Sequence, residues 1–333
     1  MASLPSTMCG VTFSKTGGSD VLEYKTDLSL PKLSDSQLLI KAEIIGVNYI
    51  DTYFRSGLYP TPNFPAILGR EAVGTVVQLP SFSDANVWNV SVGDRIAAFG
   101  TTGGYASYIA VDAAKLAKVP QDISASDACA ACLQALTAWT LINDTYNVKS
   151  GDTILVTAAA GGVGQWIVQM AKSKGAKVIA TCSTSKVDLV KSLGADVVVD
   201  YSKGEYVGKV LEETGGQGVE AVFDSVGKDT FDQSLKCVKR KGTFASFGNA
   251  SGAVPPFSIA RLGEKNVLLA RPRLDAYLAT KEELESNVKA VWDFMIKGGI
   301  KPQIHKIYKL KDVATAHDDI ESRKTTGKLL LEP

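Results

Sequence analysis

The stretch that most limits how this chain can fold runs from Thr153 to Gly175 and reads TILVTAAAGGVGQWIVQMAKSKG. A run of β-branched and apolar residues, Ile154 to Val156, leads into a turn of small residues, Ala158 to Gly164. Apolar residues then recur at helical spacing, with Val163, Ile167, Met170 and Ala171 on one side. Strand, tight turn and helix in that order open a nucleotide-binding βαβ unit. Gly161 and Gly162 carry no Cβ to hold a pyrophosphate away from the backbone. The free N–H groups of the first helical turn then face the phosphate oxygens. Gly164 lets the helix lie close on the strand. Taken alone the fingerprint is permissive. It reads Ala-x-x-Gly-x-x-Gly and would also suit an ordinary βα turn in a parallel sheet. Its surroundings favour a dinucleotide. A second strand, Lys177 to Thr181, arrives one helix later, as a crossover requires. Further strands are expected at Val197 to Asp200, Val219 to Asp224 and Thr243 to Phe247.

The choice of dinucleotide turns on charge. An NAD site places an Asp or Glu at the end of the second strand for the ribose 2′-hydroxyl. Here Ala158 through Val187 is thirty residues without one carboxylate. The second strand ends instead in Thr181-Cys182-Ser183-Thr184-Ser185-Lys186. Hydroxyls and a lysine suit a 2′-phosphate, which needs donors and positive charge. A lysine at a helix start opposes the helix dipole unless an anion compensates it. The expected cofactor is NADPH, with Lys186 as its discriminating contact.

The rest of the chain divides around this unit. A length of 333 residues predicts about two domains. The N-terminal part is rich in β patterns, such as Leu38 to Ile44, Ala72 to Leu79 and Tyr105 to Val111, separated by turn signals. From Ser126, helical patterns (Ser126 to Ile142, Val163 to Lys174, Lys186 to Leu193, Thr230 to Val238) alternate with the strands. This predicts a parallel sheet with helices on both faces. The alternation fades after Gly252. Ala253 to Phe257 contains two prolines and cannot be a central strand. A strand at Asn266 to Ala270, a helix at Lys281 to Lys297 and a β segment at His305 to Leu310 follow. The expected fold class is α/β, a doubly wound parallel sheet (128–267) inserted in a β-rich domain (1–127 plus 268–333). Ligands in such sheets bind beyond the carboxyl ends of the strands, so the active site is expected where the β-rich domain faces that edge.

Several chemistries lack candidates. Thirty-six basic and 35 acidic residues give a net charge of +1, with no drive toward nucleic acid or anionic membrane. The N-terminus lacks the pattern of a signal peptide, and no stretch has the ~18 uninterrupted apolar residues of a membrane span. The most apolar one, Ala128 to Ile142, reads as a buried helix. Five cysteines without framework spacing suit reduced thiols, so a cytoplasmic protein is expected. The only histidines are His305 and His317. Cys129 and Cys132 form a C-x-x-C with no second pair to complete a zinc set, and small residues around them favour close helix packing over a redox pair. A nucleophile elbow and a Walker A sequence are both missing. Hydride transfer needs none of these, because the cofactor carries the chemistry.

At this point the chain resembles the zinc-free quinone oxidoreductases (the ζ-crystallin type) of the medium-chain dehydrogenase/reductase superfamily. The resemblance rests on Gly46 to Pro60 (GVNYIDTYFRSGLYP), Leu68 to Val76 (LGREAVGTV), AAAGGVG, Phe223 to Phe231 (FDSVGKDTF), Ser246 to Gly252 (SFGNASG) and Asp319 to Leu331 (DIESRKTTGKLLL). It implies a Rossmann NADPH-binding domain inserted in a GroES-like catalytic domain. Zinc-dependent relatives place a cysteine where this chain has Asn48 and a histidine where it has Arg70. Their structural zinc lobe would fall near Ala85 to Gly104, which contains no cysteine. No metal is therefore expected. The resemblance implies that Gly161, Gly162, Val163 and Gly164 hold the pyrophosphate. Ser183, Lys186, Tyr201 and, from the tail, Arg323 would surround the 2′-phosphate. Ser225 would lie beside the adenosine ribose and Phe247, Gly248 and Asn249 near the nicotinamide. Asn48, Tyr53 and Thr137 would line the nicotinamide and substrate side. Tyr53 is a candidate proton or hydrogen-bond donor to the reduced quinone and equally a candidate aromatic wall, whereas Asn48 suits positioning. The same scaffold serves enone, alkenal and enoyl-thioester reductases, and some relatives are RNA-binding or structural, crystallin-like proteins. The balanced charge argues against RNA. A homodimer is implied by the resemblance and by the apolar segment Asn266 to Ala270, an edge strand that pairing would protect.

Overall fold

The computed structural model describes residues 4–82, 89–204 and 206–333. The chain begins with β1 (Thr7–Phe13), β2 (Glu23–Ser29) and β3 (Gln37–Val47), then a short helix α1 (Tyr49–Ser56). Strands β4 (Ala66–Ile67), β5 (Glu71–Gln78), β6 (Arg95–Phe99), β7 (Tyr108–Asp112) and β8 (Leu116–Lys118) follow. Helix α2 (Ala125–Thr140) continues as one π-helical turn, Leu141–Thr145. Alternation then sets in: β9 (Thr153–Val156), α3 (Gly162–Ser173), β10 (Lys177–Cys182), α4 (Val187–Ser192), β11 (Val197–Asp200), α5 (Val207–Glu213), β12 (Val219–Asp224), α6 (Phe231–Cys237), β13 (Val238–Ser246) and β14 (Leu268–Ala270). The C-terminal part adds α7 (Leu274–Tyr277), α8 (Lys281–Gly298), β15 (Ile304–Lys309), α9 (Val313–Glu321) and β16 (Lys328–Glu332).

Two compact units result. One comprises Met1–Leu133 with Thr280–Pro333, the other Gln134–Ala279. The inserted sheet extends past residue 267, because β14 pairs in parallel with β13, Thr243 opposite Leu268.

The inserted unit has one six-stranded sheet in the order β11-β10-β9-β12-β13-β14, every pair parallel. Its central strands are apolar on both faces, as a sheet covered by helices on each side requires. Leu155, Ile179, Val222 and Phe244 pack against Val210, Phe231 and Leu235 on one side. Burying a side chain such as Phe244 stabilises the fold by about 1.5–3 kcal/mol. The order reverses direction at β9, which lies between β10 and β12. That is the switch point at which doubly wound sheets bind ligands, and the turn Ala158–Gly164 springs from it.

The other unit is built from both ends of the chain. Its main sheet runs β15-β16-β3-β5-β6-β8, with β7 also on β3. The tail strand β16 is thus an interior strand, antiparallel to β3. Val11, Phe13, Leu38, Ile40, Ile45, Val76, Ile109, Leu329 and Leu331 form its core. Helix α8 starts at a capping box, in which Thr280 Oγ1 accepts from the Glu283 N–H (3.2 Å) and Glu283 Oε2 from the Thr280 N–H (3.0 Å). It stops at Gly299, whose φ of 61° suits glycine best. The helical stretch Ala125–Thr145 is long and apolar enough, by length and composition, to cross a membrane, but 61% of its apolar window is buried inside the protein, as in a core helix.

Candidate active site

The inserted unit brings the glycine turn, the end of β10 and the loop after β13 to the same edge of its sheet. Gly161 caps α3 with extended backbone and no side chain caps the helix. The N–H groups of Gly162, Val163 and Gly164 therefore leave the first turn without helical partners, as an anion site needs. The turn is pinned from both sides: the Thr157 N–H donates to the Phe223 carbonyl (3.0 Å) and the Ala159 N–H to the Thr181 carbonyl (3.0 Å). A Cβ on Gly164 would stand 2.6 Å from the Ala158 carbonyl oxygen and 2.8 Å from the Ala159 Cα, so the helix start lies close on the turn. Gly162 has a different neighbour. Its missing Cβ makes room for the side chain of Gln134, a buried residue of α2 that sequence reading overlooked. Thr137, one helical step further on, shares that helix face with Gln134.

At the end of β10, Ser183 precedes a single 3₁₀ turn, Thr184–Lys186, which Lys186 closes. Lys186 is half-buried, and burial holds its ammonium below the ordinary lysine range. A desolvated cation of this kind is stabilised by an incoming anion. Tyr201, exposed, follows β11. Asp200 was not anticipated. It lies opposite Cys182 on the neighbouring strand, and its carboxylate accepts from Thr184 Oγ1 (2.6 Å) and the Ser202 N–H (3.0 Å). Thr184 is thereby committed to Asp200, while the Ser183 side chain makes no cap hydrogen bond to the turn. On the far side of the switch point, the Phe247 N–H donates to the Asp224 carbonyl (2.8 Å) and the Ala250 N–H to the Ser225 carbonyl (3.2 Å). Gly248 lies so close to the Ser225 carbonyl that no side chain would fit. Ser225, Phe247, Gly248 and Asn249 thus form one loop cluster.

In the other unit, three strand ends meet at Asn48. Strand β3 stops at Val47, which pairs with Leu329 of β16, and Ile45 pairs with Ala72 of β5. Lys328 and Glu71, each one residue before those partners, are therefore delivered to Asn48. Asn48 Nδ2 donates to Glu71 Oε1 (2.7 Å), Lys328 Nζ donates to Asn48 Oδ1 (2.7 Å), and Lys328 forms a salt bridge with Glu71. Glu71 Oε2 also accepts from the Leu133 N–H (2.7 Å). Gly46 leaves space for the Glu71 side chain. The lysine and glutamate are completely buried. Asn48 is thus an anchored residue, its amide orientation set by an ion pair. Tyr53, on α1, is also buried and packs edge-on to Tyr59 (5.2 Å between centroids) and against Tyr49.

A second buried polar chain ties α1 to α9. Asp51 Oδ2 accepts from the Asn48 N–H (2.8 Å) and from Tyr105 Oη (3.0 Å). Tyr105 Oη lies 3.0 Å from His317 Nε2, and His317 Nδ1 lies 3.2 Å from Arg55 Nη1. Arginine only donates. Nδ1 must then accept, Nε2 carries the proton and donates to the tyrosine oxygen, and the tyrosine proton goes to Asp51. Only a neutral imidazole satisfies this order. Burial, with the Arg55 charge, pushes His317 down to about 3, and burial pushes Asp51 up to about 6. Arg55 continues the chain: Nη2 donates to both carboxylate oxygens of Glu321 (3.0 and 2.9 Å), and Nε to the Gly17 carbonyl (3.2 Å). Arg323 follows α9 with a φ of 62°.

Among the described residues, no histidine, cysteine, aspartate and glutamate side chains group as a metal-ligand set. The Lys328 ammonium already places a positive charge against Asn48. Cys129 and Cys132 are buried thiols pushed up well above the usual range by burial, and Cys132 donates to the Ala98 carbonyl (3.7 Å), which fits helix packing. Of the expected zinc-lobe segment, Ala85 to Trp88 lies outside the described residues, and β6 occupies 95–99.

Comparison with known proteins gives a consistent set of relatives. The alcohol dehydrogenase GroES-like domain family matches residues 34–121 and the zinc-binding dehydrogenase family residues 162–291. The chain is 42% identical to a probable quinone oxidoreductase of Schizosaccharomyces pombe over 322 residues, 96% of each chain. A solved mycobacterial protein complexed with NADPH superposes with a TM-score of 0.94 at 42% identity, covering 98% of this chain and 100% of that one. The quinone oxidoreductase of Escherichia coli complexed with NADPH superposes with a TM-score of 0.93 at 38% identity, again covering 98% and 100%.

Proposed function

We propose that this chain, which belongs to the quinone oxidoreductases of the medium-chain dehydrogenase/reductase superfamily, transfers hydride from NADPH to quinones without a metal. The observation that carries the cofactor choice is Lys186, half-buried at the end of β10 in a stretch without carboxylates that begins at the glycine turn. NADPH supplies the hydride when bound. The chain's own residues bind and orient. In this reading the backbone of Gly161, Gly162, Val163 and Gly164 holds the pyrophosphate, and Lys186, Ser183, Tyr201 and Arg323 hold the 2′-phosphate. Ser225 takes the adenosine ribose side and Phe247, Gly248 and Asn249 the nicotinamide end. Asn48, Tyr53 and Thr137 line the nicotinamide and substrate side. A quinone that accepts hydride becomes aromatic, so orientation supplies most of the rate. Tyr53 can donate a hydrogen bond to the developing oxyanion. Asn48 positions rather than titrates, its amide held by Glu71 and Lys328.

The reading extends to assembly and location. A second copy pairing along β14, where Leu268 is exposed, would give a homodimer in the cytoplasm, with no membrane or nucleic-acid partner. Lys186→Ala tests the function. Each charge-assisted hydrogen bond is worth about 1.5–3 kcal/mol, so KM for NADPH should rise by roughly tenfold or more while NADH is nearly unaffected. Equal effects on the two cofactors would sink the assignment. Assays with 1,4-benzoquinone beside 2-hexenal and crotonyl-CoA separate quinone reduction from enone or enoyl-thioester reduction.

A further inference from the structure

The stretch Ala158 to Val187 is free of carboxylates in sequence but not in space. Strand β11 runs parallel to β10 and sets Asp200 opposite Cys182, at the strand end from which the Lys186 turn springs. The donors around Asp200, the Thr184 hydroxyl first among them, hold its carboxyl below the usual range, so it is charged at neutral pH. It acts on the same surroundings as Lys186. The Cys182 thiol is pushed up to about 11 by burial and by the Asp200 charge, and drawn down by Lys186. A loose acidic group in such a place would repel a 2′-phosphate. The carboxylate is, however, taken up. Oδ2 accepts from Thr184 Oγ1 at 2.6 Å, Oδ1 accepts from the Ser202 N–H at 3.0 Å, and the side chain is only 9% exposed. Lys203 adds little, since its ammonium stands 3.8 Å away and is 75% exposed. The Thr184 bond is not needed for the shape of the turn. Backbone bonds already close it, the Lys186 N–H donating to the Ser183 carbonyl (2.9 Å) and the Val187 N–H to the Thr184 carbonyl. The Ser202 bond is local to the end of β11 and holds one carboxylate oxygen whatever Thr184 does. The threonine hydroxyl fixes the other oxygen.

We infer that Thr184 and Asp200 are a specificity-determining pair: the Thr184 hydroxyl keeps the Asp200 carboxylate to itself, so that Lys186 meets a 2′-phosphate and not an acidic neighbour. The inference rests on the reading of Lys186 as the 2′-phosphate contact. All of these groups belong to the inserted unit. Released from Thr184, the Oδ2 oxygen is an anion near a half-buried ammonium that burial already disfavours. Such an ammonium is stabilised by any anion that reaches it, so the freed carboxylate competes with the phosphate for Lys186. NADH brings a neutral 2′-hydroxyl and loses nothing by that pairing. The preference for NADPH is then set in part by a hydroxyl whose work is to occupy a carboxylate.

The test compares Thr184→Val, Thr184→Ser, Asp200→Asn, the double variant Thr184→Val/Asp200→Asn, and Lys186→Ala. Fluorescence titration gives Kd for NADPH and for NADH, and steady-state assays with 1,4-benzoquinone give kcat. Thr184→Val keeps the side-chain shape and removes the donor. It should raise Kd for NADPH roughly tenfold, the equivalent of one charge-assisted hydrogen bond. Kd for NADH should stay within about twofold, and kcat at saturating NADPH should change little. Thr184→Ser restores the donor and should bind both cofactors as the wild type does. Asp200→Asn removes the charge and should not weaken NADPH. The double variant should bind NADPH as Asp200→Asn does, because no carboxylate is left to release. That rescue is the decisive readout, since a loosened turn would be made worse by the second substitution. A Thr184→Val variant with an unchanged ratio of Kd for NADPH to Kd for NADH, beside a Lys186→Ala variant with a raised one, overturns the inference and leaves the reading of Lys186 intact. An unchanged ratio in Lys186→Ala overturns both. A double variant as weak toward NADPH as Thr184→Val also overturns it, because the hydroxyl would then act on the phosphate or the turn and not on the carboxylate. Circular dichroism confirms that each variant is folded, and Thr184, being exposed, tolerates substitution.

Discussion

The Glu71–Lys328 pair allows a quantitative test of how the Asn48 end is built. Both side chains are fully withdrawn from water and each is hydrogen-bonded to the same asparagine. Lys328→Met removes the ammonium, keeps most of the stem volume, and leaves the carboxylate with only the Asn48 amide and the Leu133 N–H. An uncompensated buried charge of this kind costs about 3–5 kcal/mol. Glu71→Gln removes the opposite charge and leaves the ammonium buried against neutral oxygens, at a similar cost. The double variant has no buried charge: the glutamine oxygen accepts from the Leu133 N–H, its NH2 donates to Asn48 Oδ1 once that amide, released by Lys328, turns over, and its stability should lie within about 2 kcal/mol of the wild type. The double variant should therefore be more stable than either single one, a coupling of several kcal/mol. Urea unfolding of the four proteins at pH 7, compared at constant m, gives the cycle. Losses in the double variant equal to the sum of the single losses would refute the argument. So would a single-variant loss below about 1 kcal/mol, which would mean water reaches the pair.

Three further expectations follow from the site. His317, held at about 3 against 6.5 when unfolded, contributes stability above pH 6.5 that is lost as the pH falls toward 3. Asp51, raised to about 6 from 3.8, contributes stability that is present below pH 3.8 and lost as the pH rises through 6. Between pH 6 and 4 the two slopes cancel, so Asp51→Asn should expose a fall of about 1.4 kcal/mol per pH unit, and urea midpoints that stay parallel to the wild type would contradict the pairing. Gly162→Ala should weaken NADPH binding in a fluorescence titration and Gln134→Ala should restore it. A double variant as weak as the single one would mean that the glycine serves the phosphate directly. Prolonged dialysis against EDTA should leave quinone reduction unchanged, and a loss recovered by zinc would overturn the metal-free reading.

The inserted sheet was legible because its strands are short apolar runs set between helical patterns. Ile154 to Val156 and Val219 to Asp224 could face only a covered sheet, and their order in sequence is their order around the switch point. Helix α1 was not legible. Its buried face carries Asp51, Thr52 and Arg55, which resemble a solvated surface until Tyr105 and His317 are placed against them. Helix α5 was missed because its seven residues include a lysine and two glutamates around a single buried valine. Glu71 and Lys328 each head an apolar strand, which was the available signal, but their pairing depends on strand register across 257 residues. The proposed role of Lys186 rests on what its neighbourhood lacks. That of Arg323 rests on the resemblance alone, since a lone arginine in a polar tail carries no local pattern.

The interior position of β16 has a consequence for how the protein is made. Glu71 leaves the ribosome 257 residues ahead of the lysine that neutralises it, an interval of about 13–50 s at ~5–20 residues per second. Throughout that interval the sheet that will hold Asn48 has a vacant slot beside β3 and a carboxylate facing it. The inserted unit has no such wait, because every strand of its sheet is already synthesised by Ala270. Synthesis therefore favours a nucleotide-binding half that matures first, and a reaction half that stays unfinished until the last strand arrives and closes it.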